Sequence, residues 1–290
     1  MRILFADNGS KPARDAGVLL RRLADPGLVE VTVDVCDSVE FTFPQDPWRF
    51  GDEPRPRAQP DEVAATEVAL FKAEGFEADQ HLGTGVPAQQ ILELVKAGGY
   101  DITMLGAGSS RWLENLLLGS TSTRVLHSSP SSVLIVHRFE DPAVKPRVLL
   151  ATDGSDDAEH AVTTFLRLAD PQKVSVKVIS VADALPWIAP EPPEVLPVSE
   201  AVNVMERLAK QSAERAAARL GEGGFTVEAA CLTGAPVRVI LDESRDFDLV
   251  VVGSRGLGAA GRMVMGSVSE QVARLAPAAL VCRRPREPSA

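Results

Sequence analysis

Near the end of the chain, Gly253-Ser-Arg255-Gly256 is followed, after nine intervening residues, by Gly266-Ser267-Val268-Ser269, and these types suit an anion site. The stretch follows Asp248-Leu-Val-Val-Val252, a β-branched run that reads as a buried strand. It runs into Val268–Leu275, whose apolar residues recur at helical spacing. A strand, a glycine-rich loop and a helix start turn backbone N–H groups towards one point, and the helix adds about half a positive charge there. Gly256 and Gly266 permit a positive φ or a close backbone approach, and Ser267 and Ser269 offer hydroxyl donors. Arg255 and Arg262 are the loop's only charged residues. The chemistry expected is phosphate binding. No Gly-Lys-Ser or Gly-Lys-Thr occurs, so this is not a Walker loop, and the glycine spacing does not fit the dinucleotide fingerprint.

A second polar turn, Asp153-Gly154-Ser155, closes the strand-like Arg147-Val-Leu-Leu-Ala151. Asp153 is either a turn residue or a ligand-binding carboxylate, and Ser155 suits a helix N-cap. Ser267 has the same two readings, cap or phosphate donor, and Arg255 is either solvated or a phosphate contact. Asp156-Asp157 reads as charge at a helix start rather than as an acid/base pair. His81, His127, His137 and His160 lack ligand spacing, so no metal site is expected on them. No nucleophile–base–acid set is visible, so no enzyme, or at most a slow one, is expected.

These turns need strands to position them, and the chain supplies two matching sets. Arg2-Ile-Leu-Phe-Ala-Asp7-Asn8-Gly9-Ser10 returns as Arg147-Val-Leu-Leu-Ala-Thr-Asp153-Gly154-Ser155. Val29–Cys36 and Val174–Val181 form a second pair of strands, Phe76–Leu82 and Phe225–Leu232 a third, the last two ending at Gly85-Val-Pro87 and Gly234-Ala-Pro236. Gly119-Ser120 stands 13 residues after Gly106, as Gly266-Ser267 stands 13 after Gly253. Each half closes on an apolar strand, Val133–Val136 and Ala279–Cys282. The chain is a duplication, residues 1–139 and 146–286, joined by a linker over Glu140–Pro146. Alternating strands and helices imply parallel sheets covered on both faces. In the second half, Val202, Met205, Leu208, Ala209, Ala213 and Ala216 are expected to form a core-facing helical stripe.

The motifs G-x2-G-x9-G-[ST], Asp-Gly-Ser after strand one and Gly-x-Pro before helix three resemble those of the universal stress protein family, in its ATP-binding branch. The resemblance covers the whole chain. It implies α/β architecture: two tandem doubly wound, Rossmann-like parallel sheets in the order 3-2-1-4-5, with a ligand crevice where the order reverses. It implies ATP, with or without Mg, as the ligand of the second half. Asp153 would contact the ribose or a phosphate-bound metal, and the backbone near Ala151 and Val181 would meet the adenine. Gly253, Gly256, Gly266, Ser267, Val268 and Ser269 would hold the phosphates. The first half departs from the pattern. Asn8 stands for Asp153 and Ser109 for Gly256, and Trp112 and Glu114 lie in its loop, so Asp7, Gly106, Gly119 and Ser120 are expected to form a degenerate site.

The family pairs its last strands between subunits, and a short linker lets one chain supply both. An intramolecular pseudo-dimer is therefore expected, with a homodimer of tandem chains as a further option. The implied role is a stress or signalling module with a protein partner, and the alternative is an interaction protein of the same fold without nucleotide. An adenylating enzyme is disfavoured, because the Ser-Gly-Gly-x-Asp-Ser loop of the pyrophosphatase relatives is absent. The long loops Asp37–Pro60 and Ala182–Val198 carry Trp48 and Trp187, either as surface anchors or, at Trp187, as part of a lid over the base. A net charge of −10 without a basic block argues against nucleic acid. Met1-Arg2 leads directly into a strand, so no signal peptide is expected, and no apolar run approaches the roughly 20 residues that cross a bilayer. Cys36, Cys231 and Cys282 read as buried reduced thiols of a cytoplasmic protein.

Overall fold

Strands and helices alternate through both halves of the chain. In a computed structural model, which describes residues 1–37, 59–107, 118–140, 145–183, 198–256 and 265–284, the first half runs β1 (Arg2–Ala6), α1 (Lys11–Leu23), β2 (Glu30–Asp37), α2 (Pro60–Ala73) and β3 (Glu77–Thr84). It continues with α3 (Pro87–Gly98), β4 (Ile102–Gly106), α4 (Ser120–Ser128) and β5 (Ser132–Val136). The second half repeats this as β6 (Arg147–Ala151), α5 (Asp156–Leu168), β7 (Ser175–Ala182), α6 (Val198–Glu222) and β8 (Val227–Thr233). It ends with α7 (Pro236–Glu243), β9 (Leu249–Gly253), α8 (Ser267–Leu275) and β10 (Ala278–Cys282). Trp48, Trp187, Ser109, Trp112, Glu114 and Arg262 lie outside the described residues.

The order β3-β2-β1-β4-β5 is followed in the same sheet by β10-β9-β6-β7-β8, so each half has the order 3-2-1-4-5. All neighbours are parallel except β5 and β10, which pair antiparallel with Leu134 opposite Leu280 and Val133 opposite Val281. That pairing joins the two five-stranded halves. All five residues of β5 and of β10 are buried, which leaves no bare edge at the seam. Each leucine fully buried there contributes about 1.5–3 kcal/mol.

Two apolar layers sandwich the sheet. Phe5, Leu20, Phe71, Phe165 and Leu220 belong to one, and Leu4, Ile91, Val133, Ile240 and Val272 to the other. Strand alternation explains the split, since Leu4 and Phe5 must face opposite ways. In α1 the buried Ala13, Ala16, Leu19, Leu20 and Leu23 fall on one helical stripe. Ser155 accepts from the N–H of Ala158 at 3.3 Å, so the expected N-cap forms, and Ser10 caps α1 in the same way on Ala13.

The halves also cap each other. Arg283, just after β10, donates to the carbonyls of Leu126 and Ser129 at the end of α4. The equivalent residue after β5 is His137, whose Nε2 lies 2.9 Å from the carbonyl of Ala273 in α8. Residues distant in sequence thereby close the C-terminal ends of the two loop-following helices. Of the cysteines, only Cys282 is buried, and burial pushes its thiol up to about 12, against a hydrogen bond from Thr164. Cys36 and Cys231 are half-buried, so the expectation of three buried thiols fails at the sheet's outer strands, where cover is thinner.

Candidate functional site

At the carboxyl ends of β6 and β9, adjacent strands whose connections leave on opposite sides, a cleft of about 530 Å³ opens. Ala151, Asp153, Val181, Gly253, Arg255, Gly256, Gly266, Ser267, Val268 and Ser269 all line it. One wall is the turn after β6. Gly154 donates to Thr152 Oγ1 (3.1 Å) and Ser155 N to Asp153 Oδ1 (3.0 Å), which stiffens the turn and fixes the Asp153 carboxylate. Gly154 has φ +75°, and a Cβ there would also lie 2.5 Å from Ser212 Oγ, so two constraints demand glycine. Ser155 Oγ donates to the Arg255 carbonyl (3.3 Å), tying this turn to the loop after β9.

The loop after β9 is held by buried groups. Ser254 N donates to the Cys282 carbonyl (2.8 Å), and the Ser254 carbonyl accepts from Gly266 N and Ser269 Oγ, both at 2.8 Å. Gly266 is the N-cap of α8, and the first intrahelical bond runs from Glu270 N to the Gly266 carbonyl. The N–H groups of Ser267, Val268 and Ser269 precede that bond, so the mouth of the cleft carries backbone donors with no intrahelical partner, together with the positive helix end. Among the described residues nothing holds the Ser267 hydroxyl, whereas Ser269 Oγ is already shared between the carbonyls of Ser254 and Gly266. Ser269 therefore reaches the cleft through its backbone.

Of the two uses expected of these glycines, a positive φ is not the one seen. Neither Gly256 nor Gly266 lies in the left-handed region; Gly266 has φ −83°. At Gly256 a Cβ would sit 2.5 Å from Asp153 Oδ2, so the missing side chain makes room for that carboxylate. At Gly253 a Cβ would meet the α5 backbone, 2.7 Å from Ala158 N. That glycine serves helix–strand packing.

Arg255 is partly exposed, with its side chain 36% accessible, but it is not free. Its Nε lies 3.1 Å from Asp157 Oδ2, and Asp157 is 3% exposed. Ser254 Oγ (2.8 Å) and Arg284 Nε (2.7 Å) donate to the same carboxylate. Burial would raise the Asp157 carboxyl, but the hydrogen bonds from Ser254, Arg255 and Arg284, with the Arg255 charge, outweigh it and hold it below the usual range. Charge at a helix start was thus an incomplete reading of Asp157, which organises the loop from 98 residues away.

The inner end of the cleft is apolar, lined by Ile179, Val181, Leu208, Ala209 and Ile240. Helix α6 has 25 residues against 14 in α2. Met205 and Leu208 are 52% and 54% exposed and line the cleft, so the expected core stripe divides. Only Ala209, Ala213 and Ala216 of that stripe are buried in the core. A hydrophobic period marks which residues share a face, not how far the sheet beneath extends.

The first half has its own cleft of about 560 Å³, lined among others by Asp7, Gly106, Gly119 and Ser120. Asp7 occupies the place of Thr152 and accepts from Gly9 N (2.8 Å), while Asn8 occupies that of Asp153 and accepts from Ser10 N (3.1 Å). Burial raises the Asp7 carboxyl, against the Gly9 hydrogen bond and the Arg14 charge. Among the described residues no group of three His, Cys, Asp or Glu side chains is placed to hold a metal ion, and no helix is long and apolar enough to cross a membrane.

The family model described as "Universal stress protein family" matches residues 1–137 and 146–284. A universal stress protein of Mycobacterium tuberculosis is 30% identical over 207 residues, 69% of this chain and 67% of the relative. One from Mycolicibacterium smegmatis is 31% identical over 208 residues, 70% and 65% of the two chains. Among solved structures, a universal stress protein from Archaeoglobus fulgidus is similar in fold, with a TM-score of 0.60 and 23% identity over 98% of this chain and 96% of that one.

Proposed function

The chain belongs to the universal stress protein family through both its halves, and from that premise we propose that the second half binds ATP and that the bound state is read by a protein partner. One observation carries the reading. A fixed carboxylate, an apolar pocket and the open N–H groups of a helix start converge on one cleft. Ile179, Val181 and Leu208 would enclose the base, Asp153 would face the ribose or a phosphate-bound Mg, and Ser267 to Ser269 would hold phosphate oxygens. Arg255, tied to Asp157, acts by keeping the loop in place and by lending positive charge near the phosphates. The role we assign is binding and signalling, with hydrolysis at most slow.

Calorimetric titration with ATP tests this. One saturable site is expected per chain, weakened roughly tenfold in Asp153→Ala through loss of a charged hydrogen bond. Absence of saturation at millimolar ATP overturns it. That outcome favours an interaction protein whose loop is held by its own partners, a reading supported by the internal use of Arg255 and the Ser269 hydroxyl.

A further inference from the structure

We propose that the first cleft binds a small organic cation, an ammonium or guanidinium compound, with Asp34 Oδ2 as its acceptor. Asp34 lies in β2 opposite Ala6, where the second half has Ile179 opposite Ala151. An apolar residue in one cleft is thus a carboxylate in the other. The side chain is 1% exposed and lines the cleft. Its Oδ1 is occupied, 2.9 Å from His81 Nδ1 and accepting from Gln90 Nε2 at 2.6 Å. Its Oδ2 is buried and accepts from none of the described residues. A buried charged oxygen left without a donor costs more than the roughly 1–3 kcal/mol of a neutral group, which calls for a compensating role.

The surroundings identify the charge of the missing donor. Asp7 and Asp37 line the same cleft, and among the described residues no Lys or Arg does. A triphosphate would be repelled there, whereas a cation is attracted. A metal ion is disfavoured because, among the described residues, no three ligating side chains converge. Val35, Ile91 and Leu105 give the cleft an apolar wall for a hydrocarbon body, which leaves an organic cation as the fitting class. Burial pushes the Asp34 carboxyl above its usual range and the His81 and Gln90 hydrogen bonds pull it back. A bound cation supplies the counter-charge that those two neighbours only partly provide.

The test uses the full chain, with agmatine and spermidine as probes and N-butylacetamide as the uncharged control, followed by calorimetry. At least one cation should saturate a single site while the control does not. Asp34→Asn keeps the volume and should weaken binding about tenfold or more, as expected for loss of a charge-assisted hydrogen bond. Asp37→Lys reverses an exposed charge at the rim without touching the buried cluster, and should weaken binding about threefold to tenfold with an unchanged melting temperature. This second variant gives a result even where Asp34→Asn does not fold. The proposal is overturned if neither cation saturates below about 10 mM, if the control binds equally well, or if the folded variants keep the parent affinity.

Discussion

Two glycines three residues apart, Gly253 and Gly256, should respond oppositely to the same substitution to alanine. At Gly253 the new methyl would lie 2.7 Å from the Ala158 nitrogen and the Asp157 carbonyl carbon, both in backbone that cannot swing aside. Overpacking of that kind costs about 1–3 kcal/mol. For large domains each kcal/mol moves the melting temperature by about 2–4 °C, so Gly253→Ala should melt about 2–12 °C lower. At Gly256 the methyl would lie 2.5 Å from Asp153 Oδ2, the far end of a side chain that can rotate. The fold should hold, with the melting temperature within about 1–2 °C of the parent, because only an exposed carboxylate shifts. Ligand binding should suffer, since displacing Asp153 by about an ångström forfeits a charged hydrogen bond of about 1.5–3 kcal/mol, or roughly tenfold to a hundredfold in ATP affinity. Thermal melts paired with calorimetric ATP titrations separate the two effects. Unchanged stability in Gly253→Ala together with unchanged affinity in Gly256→Ala would refute the assignment of these two roles.

Other substitutions probe the same framework. Gly266→Asp places a carboxylate at an N-cap with extended backbone, so stability should hold or rise by a few tenths of a kcal/mol while ATP binding is lost to repulsion and blocked N–H groups; retained ATP affinity contradicts the phosphate assignment. Asp157 is held ionised in the folded state, so its stabilisation is complete above the unfolded carboxylate value near pH 4 and is lost as pH falls through its lower folded value. Asp157→Asn should therefore be less stable at neutral pH, with a gap to the parent that narrows below about pH 4; a gap independent of pH in denaturant titrations counts against the network. Arg283→Ala removes donors from two carbonyls at the end of α4 and should cost about 1–3 kcal/mol in chemical denaturation; a cost near zero shows that the cross-half cap is dispensable.

The amino-acid sequence determined, by itself, the duplication, the order of elements and the strand ends where the cleft would open. Those features rest on local signals: β-branched runs, helical periodicity, Ser10 and Ser155 at cap positions, and prolines opening α3 and α7. The parallel order 3-2-1-4-5 then makes the ends of β6 and β9 neighbours, so residues a hundred positions apart face one another. What they do on meeting was decided only by the tertiary structure. Asp157 looked like helix-start charge until Ser254, Arg255 and Arg284 closed around it. Gly253 and Gly256 looked alike until one lay against a helix backbone and the other against a carboxylate. Met205 and Leu208 fit a core stripe until the fold left them exposed at the cleft, and the sequence gives no sign that Asp34 is buried with one oxygen accepting from none of the described residues. Periodicity and turn chemistry act over a few residues and are written along the chain, whereas burial, steric clearance and charge pairing depend on which distant surfaces the fold brings together.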